Sequence, residues 1–442
     1  MKRSLWSSAV VPAIALASLS AHADPSDPPA QGQAEDEEVV VDVTTAVSQL
    51  PMLLIIAATE RDQELADEIR RQIEFTGVFA TPSPKSLGLK PGLPDRNRWP
   101  GLAQAAVLVE REARAEPQFP VARTSTHLRN LRDEIRRREL TEYPGTSAMT
   151  APVLADAIME DVLGVRSHMS GKLLVTDATT RGERTIRVLS PDGQRNRRIS
   201  GFGSLARGGD FGPNGTVYFA SEDPSGKLAL FREGQSKPVQ LSVPGYVQSI
   251  AFAPDARSVV VSMGQGNVVQ SWSGPSLDQL RLVTVGTDRT ALSPSVASDG
   301  DVVHAVGPAA GPMSVVVGGK TVTPPGVWAA QPAFCSTRTE RRVVYMVRAG
   351  AHWDVRITSL SNGLTRTVAH GMAPSCSPDG RTVAFWALGR TLKGPGIYTV
   401  GDEGGLPHKV WTGEASGLRW REGEPLPPSR VDKVAPAAPA PR

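Results

Sequence analysis

Seven histidines, two cysteines and scattered serines are the residues of this chain best suited to chemistry, and their spacing argues against most of it. His22, His127, His168, His304, His352, His370 and His408 show neither HExxH nor any other paired ligand spacing, so each reads as structural and no metal site is expected. A hydrolase would need a Gly-x-Ser-x-Gly elbow and an α/β domain of about 200 residues around it. Gly145-Thr146-Ser147-Ala148-Met149 lacks the second glycine, and no such domain is legible. The pairs Asp192-Gly193, Asp299-Gly300 and Asp379-Gly380 lack the regular run of acids of a calcium loop and read as turns. No Gly-rich phosphate loop stands between a strand and a helix. The expectation is a protein without catalytic residues and without a cofactor.

Cys335 and Cys376 are too few for a four-thiolate zinc site or a cysteine-ligated cluster. They stand 41 residues apart, and a disulfide between them is open: it needs an oxidising compartment and a strand register that turns the two side chains together.

Composition says what must position these residues. Of 442 residues, 42 are Gly and 37 Pro, about 18% together against a usual value of about 12%, which favours a turn-rich β protein over a helical bundle. The net charge of +3 is too small to argue for a nucleic-acid partner. Lys2 and Arg3, the apolar run from Leu5 to Leu19 and the small residues of Ala21-His22-Ala23 read as a secretory signal peptide over residues 1–23, cut after Ala23. No later stretch is apolar and long enough to span a membrane. Residues 24–38, DPSDPPAQGQAEDEE, read as an acidic flexible linker, and residues 424–442, with six prolines, as an extended tail.

Between these ends the hydrophobic period changes once. Residues 39–165 read as a small α/β domain, with strands at Val39–Val43, Met52–Ala58 and Ala105–Val109 and a helix from about Asp62 to Phe75 capped by Thr59 and stopped at Gly77. Leu128 to Tyr143, where Arg129, Arg132, Arg136, Arg137 and Arg138 mix with acids, is expected to be a solvated helix. A last helix is expected after Thr150, with Pro152 in its first turn and its end at Gly164.

From residue 171 to 423 short β-branched runs alternate with turns, and a motif recurs: FGPNGTVYFA at Phe211, FAPDARSVVVS at Phe252, ASDGDVVHAV at Ala297, FCSTRTERRVVYMV at Phe334, CSPDGRTVAFWA at Cys376 and LRWREG at Leu418. Taking Pro213, Pro254, Ser298, Ser336, Pro378 and Glu422 as equivalent, the steps are 41, 44, 38, 42 and 44 residues. A step near 40 suits one four-stranded propeller blade. The strands after Lys172 lack an inner partner and Gly417–Trp420 lacks outer ones, so joining them completes a sixth blade. The expected fold class is therefore α+β: a small N-terminal α/β domain followed by an all-β, six-bladed propeller.

A signal segment, a small α/β domain and repeats of the SPDG type together resemble the TolB family of the periplasmic Tol–Pal system, over roughly Val39 to Glu422. FAPDARSVVVS, CSPDGRTVAFWA, ADAIMEDVLGV at Ala155–Val165 and LADEIRRQIEFTGVF at Leu65–Phe79 carry the likeness. It implies a periplasmic, non-catalytic and monomeric docking platform that binds a Pal-like peptidoglycan-associated lipoprotein over one mouth of the propeller and a TolA-like inner-membrane protein through its N-terminal segment. Placed on this repeat, the family's contact loops hold Tyr246, Gln248 and Ser249, Arg289, Thr290 and Leu292, Trp328 and Gln331, and His370 and Met372. The alternative is a secreted propeller that binds carbohydrate or another small ligand, or a relic of a propeller-containing peptidase.

Overall fold

The computed structural model describes residues 50–422 except 96–98, 101–102, 113–120, 129–133, 142–146, 202–204, 284–288, 309 and 390–391. The signal segment, the acidic linker, the strand expected at Val39–Val43 and the Pro-rich tail lie outside the described residues.

The run MLLIIA is apolar at every position and so must be covered on both faces. It forms β1 (Met52–Ala57), parallel to β2 (Ala103–Glu112), and β3 (Val121–Leu128) and β4 (Glu134–Thr141) continue the sheet antiparallel in the order β1-β2-β3-β4. Leu53, Ile55 and Ala57 share a core with Leu65, Ile69 and Ile73 of α1 (Gln63–Glu74) and Leu154 and Ile158 of α2 (Ser147–Leu163). Leu54 and Ile56, of opposite parity, pack with Trp99, Ala103 and Ala106. Thr59 caps the turn that leads into α1: its backbone N and Oγ1 both donate to Asp62 Oδ2, at 3.0 and 2.7 Å. Asp62 Oδ1 in turn accepts Arg111 N of β2 at 2.8 Å, which ties the helix start to the sheet.

Two expectations are corrected here. The helix expected from Leu128 to Tyr143 is, over Glu134–Thr141, the strand β4, which stands at the edge of its sheet among the described residues; 129–133 and 142–143 lie outside the described residues. Arg, Glu and Leu favour helix, but β3 offers a row of open backbone groups, and pairing from Val121↔Thr141 to His127↔Glu134 satisfies them. A charged sequence also suits an edge, where it discourages pairing with another chain. The second correction is that α2 begins at Ser147, ahead of Thr150, so that Pro152 lies inside the helix. One backbone bond is lost there, and burial of Ala151, Leu154, Ala155 and Ile158 offsets it.

From Lys172 on, the described chain is almost wholly strand and turn. In chain order the strands are β5 (Lys172–Asp177), β6 (Thr185–Leu189), β7 (Asn196–Arg198), β8 (Arg207–Phe211), β9 (Val217–Glu222) and β10 (Leu228–Arg232). Next come β11 (Tyr246–Phe252), β12 (Val259–Gln265), β13 (Val268–Gly274), β14 (Arg281–Leu282), β15 (Thr290–Val296), β16 (Val302–Gly307), β17 (Ser314–Val317) and β18 (Lys320–Thr321). The last are β19 (Ala329–Phe334), β20 (Arg342–Ala349), β21 (His352–Ser359), β22 (Thr365–His370), β23 (Met372–Cys376), β24 (Thr382–Ala387), β25 (Gly396–Gly401), β26 (Gly404–Trp411) and β27 (Ala415–Arg421). They build antiparallel sheets of four strands, with one of three (β8–β10) among the described residues. The C-terminal β27 pairs with β5, from Ala415↔Asp177 to Arg421↔Lys172, so the two ends of the strand region share a sheet. Packing between sheets is cyclic: β8 lies on β11, β11 on β15, β15 on β19, β19 on β23, β23 on β27 and β27 on β8.

Cys335, just after β19, and Cys376, at the end of β23, are joined in a disulfide with S–S 1.99 Å and Cα–Cα 5.2 Å. Beside it Arg342, only 3% exposed, bonds from β20 to the neighbouring sheet. Its Nη1 reaches Asp402 Oδ2 at 2.7 Å, its Nη2 donates to Gly380 O and its Nε to Cys335 O. Gly380 has φ +75°, and a Cβ there would stand 2.4 Å from Ser336 O, so this turn of the SPDG motif admits glycine alone.

The N-terminal layer is seated on the strand region through α1 and the turn after it. Gln72 Nε2 donates to Asp192 Oδ2 in the β6–β7 turn, and Thr382 Oγ1 donates to Thr76 O at 3.1 Å. Gly77, with φ +67°, lies so close to Gly401 that a Cβ would come within 2.5 Å of its backbone nitrogen. The segment from α2 to β5 is held by Asp156, fully buried, which accepts Ser167 Oγ and Met169 N at 2.7 Å, Ser170 N at 3.0 Å and Ser170 Oγ. Burial pushes the Asp156 carboxyl up to about 6, against the lowering effect of these four bonds.

Candidate docking face

Every innermost strand breaks register near its start. The unpaired residues are Gly208 in β8, Gln248 in β11, Ser293-Pro294 in β15, Gln331-Pro332 in β19, Ala373-Pro374 in β23 and Ser416 in β27. Ser293, Gln331 and Ala373 take φ of 52°, 48° and 51°, and each is followed by proline. Proline cannot donate to a ladder, so within a central strand it belongs at a bulge, and a bulge bends the strand and re-aims its side chains.

Side chains then reach across between strands that are not sheet neighbours. Gln331 Nε2 donates to Ser416 O at 2.7 Å, and Arg419 Nη2 of β27 donates to Pro294 O at 2.8 Å, although β27 and β15 stand three steps apart in the cyclic order. Asp210 accepts Phe211 N at 2.8 Å and Phe252 N at 2.9 Å. Burial raises its carboxyl, with the Arg419 charge opposing, and burial lowers Arg419, with Asp210 opposing. The interior between the innermost strands is thus polar and cross-linked.

At the starts of those strands, and for His370 at the end of β22 just before β23, the residues expected to touch a partner divide by exposure. Tyr246 (51% exposed), Trp328 (39%), Arg289 and His370 face solvent. Gln248, Leu292, Gln331 and Met372 are half-buried. Gln248 Oε1 accepts Arg207 Nη1 at 3.5 Å, and Met372 packs on the core of Ala373, Trp386 and Leu418. Ser249 and Thr290 are buried, Ser249 against Gly208 and Thr290 beneath Val269 N, whose hydrogen bond its Oγ1 accepts at 3.5 Å. The exposed residues offer a surface, and the buried ones shape the strand ends that carry it.

Trp328 has partners that the repeat pattern misses. Trp353 meets it edge-on at 6.1 Å between ring centroids, and the Arg348 guanidinium lies 5.5 Å above its ring. His370 has others. Asp354 Oδ1 lies 2.9 Å from His370 Nδ1 and 3.3 Å from His352 Nε2, and Asp354 Oδ2 accepts Arg356 Nη2 at 2.9 Å. Burial alone would raise the Asp354 carboxyl; bonds from Arg356 and His370 and their charges outweigh it and hold the carboxyl below its usual range. The signal was a His-x-Asp at the head of a strand, which puts both side chains on one face. Only the β21–β22 register, Asp354↔His370, brings in the third residue.

Small antiparallel sheets packed in cyclic order through their innermost strands define a β-propeller. More narrowly, the fold is TolB-like: the crystal structure of TolB from Acinetobacter baumannii superposes with a TM-score of 0.67 at 15% identity, covering 85% of this chain and 97% of that one. At that identity the likeness is one of fold. A putative TolB from Agrobacterium tumefaciens (14% identity, 52% of this chain, 98% of that one, TM-score 0.36) is also similar, as is a puromycin-hydrolyzing peptidase from Mycobacterium tuberculosis (13%, 71%, 52%, TM-score 0.38). No family model and no curated protein matches the chain. Among the described residues no helix is long and apolar enough to cross a membrane.

Proposed function

We propose that this chain is a non-catalytic periplasmic scaffold of the Tol–Pal system. In this reading residues 1–23 direct secretion, residues 39–165 form an α/β domain and residues 171–423 form a six-bladed propeller closed by β27. The propeller binds a Pal-like outer-membrane lipoprotein through the face that carries Tyr246, Arg289, Trp328 and His370. The N-terminal segment engages a TolA-like inner-membrane protein, and the assembly serves envelope integrity and cell division. The observation that carries this reading is the TolB-like fold over 85% of the chain. Exposed aromatic and Arg side chains at the strand ends support the choice of face, since such residues anchor protein interfaces. A pull-down from solubilised envelopes with the mature chain as bait tests it. Recovery of a peptidoglycan-associated lipoprotein is expected; its absence, with retention on a glycan array instead, would replace the scaffold by a carbohydrate-binding propeller.

A further inference from the structure

The group His352, Asp354 and His370 is the one place among the described residues where three candidate ligand side chains converge, with their ligand atoms all within 4.8 Å of one another. Both histidines are exposed, at 59% and 62% of their side chains, whereas Asp354 is 8% exposed and fixed from behind by Arg356. We propose that these three residues form a site for a divalent transition ion of the zinc type, with two imidazole nitrogens and one carboxylate oxygen as ligands. Two of the three donor spacings support this. Around a tetrahedral ion with bonds of about 2.0–2.1 Å, neighbouring donors stand roughly 3.3 Å apart, and the two donor distances to Asp354 Oδ1 are 2.9 and 3.3 Å.

The ligand types agree with the spacing. Imidazole with carboxylate suits zinc and its neighbours in the transition series, whereas calcium and magnesium prefer an all-oxygen shell. Arg356 occupies the outer carboxylate oxygen, Oδ2, and leaves Oδ1 turned to the two histidines, as an outer-shell partner of a metal-bound carboxylate does. Strand geometry fixes the set before any ion arrives: His352 and Asp354 share one face of β21, and the β22 register places His370 opposite Asp354. Three protein ligands leave the fourth position of a tetrahedron to water or to a ligand from another molecule.

The proposal is independent of the scaffold reading, and zinc itself is the probe. The untagged, disulfide-intact mature chain competes with a chromophoric chelator for Zn²⁺ at neutral pH, and a single site per chain is expected. His352→Ala and His370→Ala should each weaken binding by about tenfold or more, while the metal-free variants keep a single cooperative melting transition. Asp354→Asn should weaken binding likewise, whereas Arg348→Ala, which alters the contact with Trp328, should leave it unchanged. Co²⁺ in the same site should give the strong visible bands of a tetrahedral ion. Failure of the wild-type chain to take Zn²⁺ from the chelator would overturn the proposal. So would equal uptake by the His352→Ala, His370→Ala double variant.

Discussion

Asp156 shows what one buried carboxylate does in this chain. It accepts four hydrogen bonds from Ser167, Met169 and Ser170, yet its carboxyl is pushed from the ordinary 3.8 up to about 6 because burial outweighs them. The folded chain then holds this proton more tightly than the unfolded chain, so the group's contribution to stability is greatest below the unfolded value and declines as pH rises through the folded one. Asp156→Asn removes the titration. Denaturant unfolding of both proteins should show wild-type stability falling relative to the variant between about pH 4 and 6 and running parallel above it; parallel curves throughout would contradict the assignment. At the same scale, sequence reading places Tyr246 and Trp328 on the exposed face but cannot tell that Thr290 and Ser249 point inward. Burial of a small polar side chain depends on its packing neighbour, here Gly208 for Ser249, and no local pattern encodes it.

Among elements, the strands of β1 and the repeat motif were legible because an unbroken apolar run or a Pro-Asp-Gly turn leaves little choice of structure. The edge strand β4 was not, since Arg, Glu and Leu prefer helix locally and the unsatisfied backbone of β3 decides the matter. The bulges were half legible: Ser-Pro, Gln-Pro and Ala-Pro inside strand-like runs signal a break in pairing, but Gly208, Gln248 and Ser416 carry no proline. The Cys335–Cys376 bridge depended on register between neighbouring sheets, which spacing alone leaves open. Closing a loop of 41 residues removes unfolded-state entropy worth about 4 kcal/mol. Replacing both cysteines by serine should therefore lower unfolding stability by about 2–4 kcal/mol, with partner binding retained; unchanged stability under reducing and non-reducing conditions would show that the bridge adds nothing.

For the molecule as a whole, closure of the ring rests on β27, the last strand among the described residues, which pairs with β5, the first strand of the repeat region. Leu418 of β27 is 2% exposed and packs with Leu173, Val175 and Ala384. Leu418→Ala should cost about 2–4 kcal/mol in a single cooperative transition, whereas Leu364→Ala, at a position 72% exposed, should stay within about 0.5 kcal/mol. Equal effects would mean that the closing sheet does not hold the ring.

The proposed docking of a Pal-like lipoprotein on the face bearing Tyr246 and Arg289 is open to direct measurement. Calorimetric titration of the mature chain with the soluble domain of such a lipoprotein tests this most directly. Specific binding by the wild-type chain is expected, and Tyr246→Ala with Arg289→Ala should weaken it by about tenfold or more while the melting temperature stays unchanged. Undiminished binding by the double variant, or no binding by the wild-type chain, would contradict the account.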